Sequence, residues 1–110
     1  MDALLIFSTF PDEAKAQEVA RTLVTEKLAA CVNVLPGVTS IYVWQGKLEE
    51  GGETLALIKT RRALYPALEA RLRALHPYEV PEIVAVDFAV GLPDYLRWLA
   101  GQTLDDAPPA

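Results

Sequence analysis

The chain has 110 residues, 52% of them hydrophobic, and 15 acidic against 10 basic residues give it a net charge of −5. That length fits one domain with a core of its own, and the acidic balance argues against a nucleic-acid partner, which needs a basic patch. One cysteine, Cys31, excludes an internal disulfide and zinc motifs of the CxxC kind, one histidine, His76, excludes HExxH, and no apolar run approaches the roughly 20 residues of a membrane-spanning helix.

Residues 3–9 form an apolar run that reads as a buried strand. The opening stretch lacks the basic region and cleavage site of a signal peptide, and the single cysteine fits a reducing, cytoplasmic location. Pro11, Asp12 and Glu13 mark a helix start, since proline suits the first turn and carboxylates suit its positive end. Val19, Ala20, Leu23, Val24 and Leu28 follow at helical spacing. Residues 31–44 then read as one long strand broken at Pro36-Gly37, a turn or bulge. Cys31, Asn33 and Leu35 alternate there with Val32 and Val34, and Ser40, Tyr42 and Trp44 alternate with Ile41 and Val43. Both faces of this ribbon carry apolar bulk. An uncovered sheet face is normally polar, so a second chain is expected as the cover.

Gly46 to Gly52, with Lys47, Glu49 and Glu50, reads as a charged turn. A strand over about 53–60 alternates Leu55 and Leu57 with Ala56 and Ile58. A second helix over about 63–75 presents Leu64, Leu68, Leu72 and Leu75 as a stripe, and Pro77 stops it. Residues 83–88 read as a fourth strand. Tyr95–Leu99 reads as a short helix after Pro93-Asp94. Residues 1–104 are expected to form the domain and 105–110 a disordered tail. The order β-α-β-β-α-β plus a terminal helix is an α+β, ferredoxin-like plan, with two helices on one face of a four-stranded antiparallel sheet.

Several motifs in this order resemble one family. Leu28-Ala29-Ala30-Cys31-Val32-Asn33, Pro36-Gly37, Ser40-Ile41-Tyr42, Trp44-Gln45-Gly46 and Lys59-Thr60 look like the CutA divalent-cation tolerance proteins. So do His76-Pro77-Tyr78-Glu79-Val80-Pro81-Glu82-Ile83 and Tyr95-Leu96-Arg97-Trp98-Leu99. The resemblance covers about residues 3–100. It implies a ferredoxin-like protomer, a homotrimer built by the long strands and shaped like the PII signalling proteins, a response to metal ions, and binding of copper or other divalent cations. The copper ligands it implies are a cysteine three residues before the first-helix proline and a pair of histidines before the later Pro-Tyr. Ser8 and Leu75 stand at two of these positions, and only His76 matches. Weak copper binding centred on His76 is therefore expected, with no cofactor required.

Read as chemistry, Cys31 is either a core thiol behaving as a small hydrophobe or a soft ligand in a cleft between subunits. His76 either meets the carbonyls at a helix end or acts as a metal ligand or acid–base group. Lys59 either snorkels from an apolar strand or faces a polar cleft, and Glu82 follows Pro81 at a strand entrance. Tyr42, Trp44 and Tyr78 suit interface packing or the walls of a ligand site. Glu49, Glu50 and Glu53 read as a solvated turn. The expectation is that Cys31, Lys59, His76 and Glu82 converge in one intersubunit pocket walled by Tyr42, Trp44 or Tyr78 from a neighbouring subunit, suited to a small anion or a metal–anion pair. Two functional classes remain open: a trimeric binding or homeostasis protein, and a small enzyme or PII-like signalling trimer using the same clefts. A trimer that only anchors a partner is a third reading. One Asn, three Gln, one Cys and one Met, with prolines in the loops, point to a heat-stable protein.

Overall fold

The structure is a computed structural model describing residues 2–108; Met1 of the expected domain and Pro109 and Ala110 of the expected tail lie outside the described residues. β1 (Ala3–Phe10) buries Leu4, Ile6, Ser8 and Phe10 on one side and half-buries Leu5, Phe7 and Thr9 on the other. α1 (Glu13–Thr25) starts at Asp12, whose carboxylate accepts the Lys15 N–H at 2.7 Å. Such a cap is worth about 1 kcal/mol, and it leaves Pro11 just outside the helix rather than in its first turn. The helix ends where Lys27 takes a φ of 60°. The N–H groups of Leu28 and Ala29 both return to the Leu23 carbonyl, at 3.0 and 3.2 Å. Leu28 therefore reaches the core from beyond the helix. Val24, expected on the apolar stripe, is exposed.

β2 (Cys31–Trp44) and β3 (Lys47–Arg61) form a long hairpin. Its turn is only Gln45-Gly46, with φ of 50° and 79°. Positive φ at both positions gives the two-residue turn whose twist matches the strands it joins. The charged turn expected from Gly46 to Gly52 is thus strand from Lys47 onward. Lys47 to Gly52 pair one by one with Trp44 to Thr39. The tight turn brings these backbone groups back onto β2, and the charged side chains stay in water at no desolvation cost. Pro36-Gly37 is a bulge: the register slips between Leu35 and Val38, and Gly37 has a φ of 82°.

A one-turn 3₁₀ segment, Arg62–Leu64, precedes α2 (Tyr65–Leu75), which carries Pro66 in its first turn. β4 (Val84–Asp87) is shorter than the expected 83–88, and α3 (Pro93–Gly101) is longer than 95–99. Arg61 donates to the carbonyls of Leu104 and Asp105, so the first residue of the expected tail is tied to β3.

The antiparallel sheet has the order β2-β3-β1-β4, as the ferredoxin-like plan requires. α1 and α2 cover one face around a core of Ile6, Phe10, Leu23, Ile58, Leu68 and Leu72. α3 covers one end of the other face, where Ala3, Ala30 and Leu99 meet Tyr95 and Leu96. β1 pairs with β3 only over Thr54–Arg61, so the hairpin from Val38 to Glu53 projects beyond the body of the sheet as an arm. On this arm Ile41, Val43 and Leu48 are 63%, 66% and 71% exposed.

Candidate functional site

The base of the arm and the loop after α2 build the site. Pro77 prevents α2 from continuing. His76 turns to extended backbone (φ −75°, ψ 136°) while its own N–H still donates to the Leu72 carbonyl at 2.9 Å. The imidazole lies back on Phe10, with ring centroids 4.3 Å apart and planes 18° from parallel, and it is buried. The Tyr78 backbone N–H sits 3.2 Å from Nδ1, and the Thr9 carbonyl 2.9 Å from Nε2. A backbone N–H can only donate and a carbonyl only accept, so Nδ1 carries the lone pair and Nε2 the proton. Burial pushes the His76 pKa below its usual value; Lys15 adds to this, and the Thr9 bond and Glu53 oppose it. The ring is neutral and fully engaged.

Tyr78 continues the chain outward. Its hydroxyl donates to Glu53 Oε2 at 2.6 Å. Burial, with the Glu53 carboxylate beside it, pushes the phenol pKa well up, so the proton stays on Tyr78 and Glu53 accepts. Beyond this pair opens a cavity of about 660 Å³ walled by Tyr42, Trp44 and Tyr78 and bearing Glu53, Glu79 and Glu82. The arm supplies Tyr42, Trp44 and Glu53, and the segment between α2 and β4 supplies Tyr78, Glu79 and Glu82.

Four of the expected cleft residues, Tyr42, Trp44, Tyr78 and Glu82, therefore line one cavity, and His76 lies behind its wall. Cys31 and Lys59 do not join them within one chain. They are cross-strand partners at the other end of the hairpin, where the Lys59 ammonium sits 5.7 Å from the centre of the Tyr95 ring on α3. Lys59 is six residues along β3 from Glu53, about 20 Å at ordinary strand rise. Among the described residues of one chain, the cavity is lined by no lysine, arginine or histidine. Glu53 was not foreseen, because it was grouped with Glu49 and Glu50 as a solvated turn. Its place directly after Gly51-Gly52, at the point where β3 enters the body of the sheet, was the available signal.

The copper ligands implied by the resemblance do not fit these residues as they are folded. Ser8 points into the core with its hydroxyl buried and unpartnered, and Leu75 packs against the same core. Both nitrogens of His76 are in use. Among the described residues no three His, Cys, Asp or Glu side chains are placed to hold a metal together.

The fold and cavity define a class: an α+β protein with one four-stranded antiparallel sheet, three helices, a projecting apolar hairpin and an aromatic–acidic cavity at its base. The model of the CutA1 divalent ion tolerance family matches residues 4–102, and the chain belongs to that family. It is 50% identical over 99 residues to the divalent-cation tolerance protein CutA of Thermus thermophilus, covering 90% of this chain and 96% of the relative. It is also 50% identical to the human protein CutA over 93 residues, which is 84% of this chain but 52% of that one, so it spans about half of the human relative. Among solved structures, the Thermus thermophilus protein superposes with a TM-score of 0.89 at 50% identity, over 92% of this chain and 98% of the other. CutA1 of Oryza sativa superposes with a TM-score of 0.93 at 38% identity, over 96% and 97%.

Proposed function

We propose that the chain works in divalent-cation tolerance as a homotrimeric binding protein of the cytoplasm, and that the cavity at the base of the arm is its ligand site, completed at a boundary between subunits. The observation that carries this reading is the arm itself. Ile41, Val43 and Leu48 stand largely exposed, and Tyr42 and Trp44 about half so, on a ribbon that extends past the helix layers. β2 and β4 are the two edges of the sheet, and β4 exposes Val84 and Val86. Apolar faces and open strand edges of this kind are covered by self-association in stable proteins. A closed ring of identical contacts covers every copy alike.

A binding role is favoured over an enzymatic one by the state of His76. A general acid or base needs a ring nitrogen directed at substrate, and both of these are spent on backbone groups. His76 holds the loop that carries Tyr78. Copper at His76 would have to displace the Tyr78 N–H from Nδ1, so any binding there is weak. A bacterium lacking its own family member, grown in graded copper and zinc with and without this protein, tests the role. Restored tolerance supports it; a Glu82→Gln variant that restores tolerance as well as the parent contradicts a role for the cavity.

A further inference from the structure

We propose that the cavity takes an organic cation, an alkylammonium or guanidinium compound with an apolar body, rather than an anion or a bare metal ion. This rests on the cavity being the ligand site and goes on to its chemical class. Among the described residues of one chain, those lining it include three carboxylates, Glu53, Glu79 and Glu82, and no lysine, arginine or histidine. A small anion placed there would lose its hydration and meet only negative side chains. An ammonium group would meet carboxylates and the faces of Tyr42, Trp44 and Tyr78. Aromatic faces attract cations within about 6 Å, tryptophan best, and the attraction grows as water is excluded.

Geometry separates an organic cation from a metal ion. The carboxylates are dispersed around the cavity, and among the described residues no three acidic, His or Cys side chains come together closely enough to share one ion. The volume of about 660 Å³ lies in the range of ordinary small-molecule sites and far exceeds one hydrated ion. Ile41 and Val80 add apolar wall for the body of such a ligand. Glu53 is held in place by the Tyr78 hydroxyl on Oε2, which leaves Oε1 to accept from a ligand N–H. The net charge of −5 draws cations toward the protein at long range.

Isothermal titration of the full chain in its native assembly, with butylammonium, 1,4-diaminobutane, butyrate and Cu²⁺ as separate probes, tests this. The amines should bind and butyrate should not. Glu82→Gln should weaken amine binding about tenfold, the loss of one charge-assisted hydrogen bond. Trp44→Leu should weaken it about threefold or more, and light scattering on both variants checks that assembly is unchanged. If Trp44→Leu disturbs assembly, Glu82→Gln, which lies off the arm, still decides. Butyrate binding as tightly as butylammonium, and weakened by Trp44→Leu, would overturn the cation assignment and leave the cavity as a ligand site. Binding of Cu²⁺ alone that Glu82→Gln abolishes would replace the organic cation with a metal. Amine binding only after the assembly is dispersed would mean that a second copy fills the cavity, and would overturn the proposal. If no probe binds the intact assembly, the cavity is not a site for ligands of this size, and the reading beneath it falls as well.

Discussion

The two ends of the β2–β3 hairpin follow opposite rules. From Thr54 to Thr60, β3 lies between β1 and the first half of β2, and every second residue, Thr54, Ala56, Ile58 and Thr60, is buried beneath α1 and α2. From Lys47 to Gly52 the same strand has one neighbour and no layer above or below, and all six residues are exposed. Backbone pairing is continuous across both parts, apart from the bulge at Pro36-Gly37. The difference teaches that hydrogen-bonded strand geometry does not by itself provide burial. The inner half gains it from helices of its own chain, and the outer half has no such layer within the chain.

The largest effect should come from placing charge on the outer half. Ile41→Glu with Val43→Glu should disperse the assembly completely, because each would bury an unpaired carboxylate at the contact. Light scattering reads the mass, and calorimetry should show the unfolding midpoint fall, into the ordinary range of about 45–65 °C. If the doubly substituted protein keeps both its assembly and its midpoint, the arm is not the contact. The inner half should respond differently. Leu68→Ala opens a cavity in the core and should cost about 3 kcal/mol in chemical denaturation, with the assembly intact below the transition.

His76, at the end of α2, should add a pH dependence. Its pKa in the folded protein lies below the usual 6.5, so the unfolded chain takes up the proton first. The stabilising preference for neutral imidazole is complete above the unfolded pKa. It is lost as pH falls from about 6.5 through the folded value, with a slope no steeper than about 1.4 kcal/mol per pH unit, the limit for one proton. Urea unfolding of the parent and of His76→Phe between pH 7 and 5 checks this; equal slopes would remove His76 as the cause. The smallest effect should be at Ser8. Its hydroxyl is buried without a partner among the described residues, whereas the buried Thr60 donates to the Leu28 carbonyl at 2.6 Å. Ser8→Ala should be neutral or stabilising by up to about 1 kcal/mol, and Thr60→Val, which leaves an acceptor unmatched, destabilising.

Much of the inner half was legible in the sequence because local periodicity governs it. The helical stripe of Leu64, Leu68 and Leu72, the stop at Pro77 and the alternation of residues 55–58 each follow from one segment read alone. The arm was half legible. Two apolar faces from Ser40 to Trp44 announced an uncovered ribbon, but the return strand reads as a turn because its glycines and charges are turn residues by composition. Only pairing with β2 makes it a strand. The cavity was legible in its aromatic walls, in Glu82, and in the His-Pro-Tyr run that places Tyr78. Cys31 and Lys59 lie at the other end of the hairpin within one chain, so only another copy brings them to the cavity; alternation tells which face a residue occupies and not which subunit's cleft it enters. Glu53 and Lys59 share that parity and still lie at opposite ends.

The central claim is that the arm is a shared structure, completed only when copies meet. Static light scattering of the unmodified chain at micromolar concentration tests it most directly. The account predicts a mass three times the 12.0 kDa of one chain, constant on dilution. A mass of 12.0 kDa, with the apolar arm still facing water, would contradict it.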